Sequence, residues 1–217
     1  PLVRSRSAGP KKNLYPNPLN SIAVMAIPSL GHQNECNIID MKLVSKQGGL
    51  MTISARVDSY LKDHSINYQI VNHHYSEGAY NTAVAAHIPT KKLAKAVLLI
   101  DHDGKHLLAI LPSSNILSIK ELSEKLDREL QFVQEQDLGV FFTDCAFGAI
   151  PAVGQAYNIS VIWDDHLKDE PDIYIEGGDH EALIHMDEED FMKLMADQPH
   201  MIISEPGGVL ARKIRHH

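Results

Sequence analysis

Residues 94–111 read Ala94-Lys95-Ala96-Val97-Leu98-Leu99-Ile100-Asp101-His102-Asp103-Gly104-Lys105-His106-Leu107-Leu108-Ala109-Ile110-Leu111. Ala94 to Ile100 is a continuous apolar run apart from Lys95, the signature of a buried strand. Asp101 to Gly104 is a hairpin turn, because glycine takes positive φ without steric cost. His106 to Leu111 then returns as the partner strand. A buried antiparallel pair therefore sits near the middle of the chain, and the other elements must pack around it.

Outward from this hairpin the periodicity alternates. Thr52 to His64 carries Ile53, Val57, Tyr60 and Leu61 at amphipathic helical spacing. Tyr68 to Val71 reads as a short strand. Ser76 to His87 reads as a second helix, with Ala79, Ala83 and Ala86 forming a small-residue face. Beyond the hairpin, Ser118-Ile119-Lys120-Glu121 matches a capping box and opens a helix. Phe132-Val133 is a short strand and Gln136 to Phe142 a short helix. Ile159 to Trp163 and Asp172 to Glu176 are strands. Leu183 to His185 pairs back across a Gly177-Gly178-Asp179 turn, and Asp187 caps a last helix. Hairpins among irregularly ordered helices predict an α/β (α+β type) fold: a mixed, largely antiparallel sheet with helices packed around it. No strand is followed by G-x-G-x-x-G and no Walker-type loop occurs, so no nucleotide cofactor is expected.

The 217-residue chain is 44% hydrophobic and 22% charged, an ordinary balance for one globular domain. Its net charge of −8 is uneven: residues 1–50 carry +4, residues 207–217 carry +3, and residues 51–206 carry −15. Proteins that wrap long stretches of nucleic acid are usually basic. Any RNA contact by this domain should therefore be short, or be presented by a partner. Cys36 and Cys145 lie far apart and define no disulfide framework, so a reducing, cytoplasmic setting is expected. No apolar run of about 18 residues exists, which argues against a membrane span. Pro1 to Lys12 does not read as a secretory signal. Residues 1–50, punctuated by proline and glycine, are expected to be an N-terminal extension of upstream or vector origin. Residues 51–206 are the domain, and 207–217 a C-terminal appendage.

Candidate chemistry centres on Gly148-Ala149-Ile150-Pro151-Ala152-Val153-Gly154. Glycine admits close backbone approach, proline stiffens the segment, and backbone N–H groups there could face a developing oxyanion. A plain connecting loop is the simpler reading of the spacing alone. Lys95 inside an apolar strand either snorkels at an edge or points into a polar site. The thirteen histidines invite a metal, yet no H-E-x-x-H or C-x-x-C pattern is present, and no metal is expected. Cys145 could act as a nucleophile only with a lowered pKa; a packed thiol is the simpler reading.

Taken in order along residues 52–205, these pieces resemble the YbaK/prolyl-tRNA-synthetase-associated editing domain family of aminoacyl-tRNA deacylases. The resemblance rests on Lys95-Ala96-Val97-Leu98-Leu99, on Gly148-Ala149-Ile150-Pro151 extended to Gly154, on Val161-Ile162-Trp163-Asp164-Asp165, on Gly177-Gly178, and on the final helix. It implies hydrolysis of the ester joining a mischarged amino acid to the 3′ end of tRNA. It assigns Lys95 to the terminal nucleotide and Gly148 with its loop to the aminoacyl group, as the catalytic pair. Ala149, Ile150, Pro151, Ala152, Val153 and Gly154 would help wall the substrate site, with Ser76, Thr82 and His180 as neighbours. The apolar wall points to a small amino acid such as alanine; a hydroxyl-bearing one stays open because Ser76, Thr82 and Ser113 could lie nearby. Neither metal nor nucleophilic side chain is implied; the tRNA hydroxyl and a water share the work. The expected partners are the acceptor end of aminoacyl-tRNA and an aminoacyl-tRNA synthetase, with neither membrane nor DNA. Two alternatives stay open: a non-catalytic binding or regulatory module of this fold, and a hydrolase using a metal or thiol through His180 or Cys145.

Overall fold

The computed structural model describes residues 53–207. The expectations for residues 1–50, and for the appendage after Gly207, lie outside the described residues. In chain order the elements are α1 (Ala55–Asp63), β1 (Gln69–Asn72), α2 (Ala79–Ala85), β2 (Leu93–Asp101), β3 (His106–Pro112), β4 (Asn115–Leu117), α3 (Ile119–Leu126) and β5 (Leu130–Phe132). A 3₁₀ turn follows at Glu135–Val140 and another at Gly154–Tyr157, then β6 (Ser160–Asp164), β7 (Asp172–Glu176), β8 (Ala182–Asp187), α4 (Glu188–Met195), β9 (His200–Met201) and β10 (Ser204–Pro206).

The main sheet runs β1-β8-β7-β2-β3-β6-β9, with β5 also paired to β2; β10 and β4 form a separate ribbon. The pairs β1–β8, β7–β8, β2–β3 and β2–β5 are antiparallel, while β2–β7, β3–β6 and β6–β9 are parallel. The sheet is thus mixed and largely antiparallel, as the hairpin pattern predicts.

The β2–β3 hairpin pairs Ala94 with Pro112 through to Ile100 with His106. Its turn is locked by Asp101, whose Oδ1 accepts from Asp103 N at 3.0 Å and Lys105 N at 2.8 Å. Gly104 there has φ +77°. The continuous apolar sequence has a geometric cause. Successive side chains alternate faces, and both faces of these strands are covered. Leu98, Leu108, Ile110, Val161 and Trp163 enter the main core with α1 and α4. Leu99, Leu107, Ala109 and Ile162 meet Leu122 of α3 in a second core. A strand buried on both sides loses the polar alternation of a half-exposed one.

Helix starts follow their caps. Ser118 Oγ accepts from Glu121 N at 3.4 Å, and Asp187 accepts from Asp190 N at 2.9 Å with Glu188 and Glu189 in the first turn. The acidic stretch at the start of α4 thereby complements the helix dipole. The second helix is shorter than its sequence pattern, because residues 76–78 lie outside any helix or strand and Gly78, at φ +81°, precedes the first turn.

Gly154 has a packing role. A Cβ there would lie 2.6 Å from Val161 Cγ2 and 3.0 Å from the Ile159 carbonyl oxygen. Only a bare backbone lets the 3₁₀ turn close onto β6, and overpacking of this kind costs about 1–3 kcal/mol. Gly154→Ala is expected to lower unfolding free energy by about that amount in urea titrations, while the activity of the folded fraction stays near wild type.

Candidate active site

Along one edge β2 is paired to β3 for nearly its whole length. Along the other it meets β7 only at Leu93 and Ala94, and β5 only from Leu99 to Asp101. Between these contacts that edge has no strand partner among the described residues, and a cavity of about 190 Å³ opens there. Its walls include Gly78, Thr82, Lys95, Gly148, Ile150, Glu176 and His180. The volume lies below the ~300–1,000 Å³ of sites for drug-sized ligands. A more open depression of about 680 Å³ beside Arg128 and Tyr157 is larger but carries no carboxylate.

Lys95 lies on the face shared by Val97 and Leu99, opposite the main core. Its Nζ donates to the carbonyls of Asn115 at 2.6 Å and Ser113 at 3.5 Å. Burial lowers its pKa from the ordinary lysine value. Among the described residues it makes no ion pair, so its charge is held by carbonyl dipoles alone. Those carbonyls are themselves fixed. Asn115 Nδ2 donates to Ser204 Oγ at 3.0 Å, and Ser204 Oγ donates to Asp164, which is fully buried at the end of β6. The sequence names Asp164 only as the residue ending a strand; its link to Lys95 is long-range and needs the β4–β10 ribbon.

Gly148 takes φ +82°, a conformation that strains any other residue, and a Cβ would also press on Glu135 Oε1 at 3.3 Å. Its carbonyl accepts from Ile150 N, while its N–H donates to no protein group among the described residues. His180, only 4% exposed, also has positive φ, +65°. Its Nε2 lies 2.8 Å from the Phe147 carbonyl oxygen, so this nitrogen carries the proton. Tyr75 packs edge-on against the same ring at 5.4 Å between centroids. Ser76 N donates to the His180 carbonyl, and Thr82 Oγ1 donates to the Ser76 carbonyl at 3.2 Å. Thus Thr82 lines the cavity and Ser76 holds its rim through backbone.

Of the loop residues expected to wall the substrate, Gly148 and Ile150 reach the cavity. Ala149 is buried beside them. Ala152 and Val153 are fully buried in the main core, Pro151 is buried, and Gly154 belongs to the 3₁₀ turn. The loop turns inward after Ile150, so its second half supports the wall from behind. Ser113 spends its hydroxyl on the Thr90 carbonyl at 2.6 Å. Cys145 packs near Gly178, and its thiol is pushed up to about 11 by burial, which leaves it protonated near neutral pH.

Glu176 is the cavity residue that sequence reading passes over. It ends β7, and its Oε1 accepts from Gly178 N and His180 N, each at 3.2 Å. Burial raises its pKa from the ordinary glutamate value. The available signal was a carboxylate closing an apolar strand just before paired glycines.

One network fixes the segment leading into Gly148. Ser54 caps α1, donates to Asp144 Oδ2 at 2.6 Å, and lies 2.7 Å from Tyr157 OH. Arg56 N also donates to Asp144 Oδ2, at 3.0 Å. Burial would raise the Asp144 pKa, but these donors outweigh it and hold the carboxyl below the usual aspartate range.

A sequence profile of the aminoacyl-tRNA editing domain matches residues 77–194, more than half of the chain. The fold and the cavity thus belong to an editing domain. The chain is a member of the aminoacyl-tRNA editing domain family. No curated protein matches it significantly in sequence. Among solved structures it resembles one described as "a putative trans-editing enzyme for prolyl tRNA synthetase", with TM-score 0.62, 18% identity, and coverage of 72% of this chain and 99% of that one. A hypothetical protein matches with TM-score 0.62 and 16% identity over 69% of this chain and 99% of its own. A signal transduction protein described as putative, from Marinobacter aquaeolei VT8, matches with TM-score 0.56 and 22% identity over 69% of this chain but 30% of its own. At these identities the structural likeness speaks to the fold.

Because the folded Asp144 carboxyl is held below its unfolded value of about 3.9, it contributes stability that is present above that pH and lost as pH falls through the folded value. Asp144→Asn should therefore lower thermal stability at pH 7, with the difference shrinking as pH falls below the unfolded value of about 3.9 and through the lower folded one. Melting curves of both proteins across this range check it.

Proposed function

We propose that this domain is a trans-acting deacylase that hydrolyses the ester between a small amino acid, alanine first among them, and the 3′ end of a mischarged tRNA. The observation that carries the reading is the 190 Å³ cavity at the break in β2 pairing, where Lys95, Gly148 and His180 converge. Its size suits a small aminoacyl group. Lys95 has no acidic partner, which fits a role towards a phosphate or ribose of the terminal nucleotide. The uncommitted Gly148 N–H offers a donor to the oxyanion formed when water attacks the ester carbonyl. The ester is already activated, so positioning and oxyanion stabilisation can supply much of the barrier reduction. Exposed Tyr75 and Phe147 adjoin His180 and offer faces for an unstacked terminal base.

The domain carries −15 over residues 51–206. This charge supports contact restricted to the acceptor end, or a synthetase that presents the tRNA, in a cytoplasmic setting. It also motivates a second reading, a non-catalytic binding module of the same fold.

A deacylation panel of Ala-, Ser-, Thr- and Cys-tRNA separates the two. The deacylase reading expects Ala-tRNA to be hydrolysed fastest. Lys95→Ala should lower kcat/KM by about 10–100-fold, the scale of a lost charged hydrogen bond. Absence of turnover on every charged tRNA would leave the binding module, and an unchanged rate in Lys95→Ala would remove Lys95 from the site.

A further inference from the structure

The cavity holds two charged side chains that do not neutralise each other. Lys95 Nζ is bound to carbonyls, and Glu176 takes two backbone N–H groups on one oxygen. Among the described residues no ion pair joins Glu176 to any cation. The basic groups whose charge it feels are His180 and His73. The His180 proton on Nε2 is committed to Phe147. The Nδ1 of His73 lies 2.8 Å from the His74 carbonyl oxygen, and its Nε2 is buried without a partner. A carboxylate removed from water without a paired cation is costly, and the cost falls when a cation arrives with hydrogen bonds to donate. Apart from Thr82, whose hydroxyl is donated to the Ser76 carbonyl, the rest of the wall is small or apolar: Gly78, Ala79, Leu93, Ala94, Ala96, Gly148 and Ile150.

We infer that Glu176 is the residue that recognises the α-ammonium group of the aminoacyl ester. This rests on the deacylase reading above and adds to it a specificity-determining residue. The placement divides the substrate between two charges. The nucleotide end meets Lys95, and the amino end meets Glu176, where β7 parts from β2 just after the Ala94–Ile175 pair. The ester carbonyl then falls between them, beside Gly148. The two backbone donors from Gly178 and His180 favour the charged form against the burial that raises its pKa, and they fix its rotamer. The site therefore selects α-amino acyl groups over acyl groups of the same size that lack the ammonium. No bond is made or broken at Glu176; its contribution is to seat the ester in one orientation.

The test uses a pair of nearly isosteric substrates. Ala-tRNA is compared with lactyl-tRNA, made from it by nitrous acid deamination, which replaces the ammonium by a hydroxyl. Each rate is divided by the uncatalysed rate of the same ester. Wild-type protein should then favour the alanyl ester by about 10–100-fold in kcat/KM, the scale of a charged hydrogen bond. Glu176→Gln should lose most of that preference, bringing the normalised ratio of the two esters close to one. Because the readout is a ratio, it does not depend on how much of the variant is folded. Equal normalised rates for the two esters in wild type would overturn the inference, with no variant needed. An equal fall for both esters in Glu176→Gln would overturn it too, and would mark Glu176 as structural or as a general base. Failure to hydrolyse Ala-tRNA at all would instead bring down the deacylase reading on which the inference stands.

Discussion

The interaction on which the site depends is the incomplete pairing of β2. One edge of this strand is hydrogen-bonded to β3 from Ala94 to Ile100. The other is shared between β7 at its start and β5 at its end. A fully paired central strand would have no room beside it. Here the sheet parts over Lys95 to Val97, before the Leu98 carbonyl accepts from Val133 N, and backbone that closes elsewhere into a ladder borders a cavity. Everything at the site is referred to this gap. Lys95 comes from the open strand itself, Glu176 from the end of the strand that diverges from it, and Gly148 and His180 from loops that fold over the opening.

Rigidity on either side keeps the gap open. The hairpin is locked by Asp101 at its tip and buried on both faces, so β2 cannot shift register without turning core side chains to water. The chain Lys95–Asn115–Ser204–Asp164 ties the lysine to the far end of β6. The Ser54–Asp144–Tyr157 cluster ties the segment before Gly148 to α1 and to the turn at Gly154. Such fixed positions matter for chemistry that relies on placement, because misplacement by about an ångström can lose much of the rate.

Much of the architecture was legible in the sequence because local rules agreed. The β2–β3 hairpin, the Ser118 and Asp187 caps and the inward face of α1 each follow from short-range patterns. The short ribbon of β4 and β10 was not legible, since three-residue strands carry too little periodicity. At the site, Lys95, Gly148, Ile150, Thr82 and His180 were named in advance and line or border one cavity. Pro151, Ala152, Val153 and Gly154, expected in the same wall, are buried away from the cavity lining. Small apolar residues read the same way on either side of a wall, and only the tertiary path distinguishes them. Glu176 escaped notice for the opposite reason. A lone glutamate at a strand end is ordinary in sequence, and its meaning arises only when folding removes its water and leaves it without a cation.

The central claim is that the aminoacyl end of the tRNA occupies the gap beside β2. Titrating the protein with 3′-alanylamino-3′-deoxyadenosine, whose amide link resists hydrolysis, and following backbone amide chemical shifts tests it most directly. The account predicts that the largest shifts fall at Lys95, Ala96, Gly148, Ile150 and the Gly177–His180 turn. Shifts centred instead on the open depression around Lys105, Arg128 and Asn158, with Lys95 and Gly148 unmoved, would contradict it.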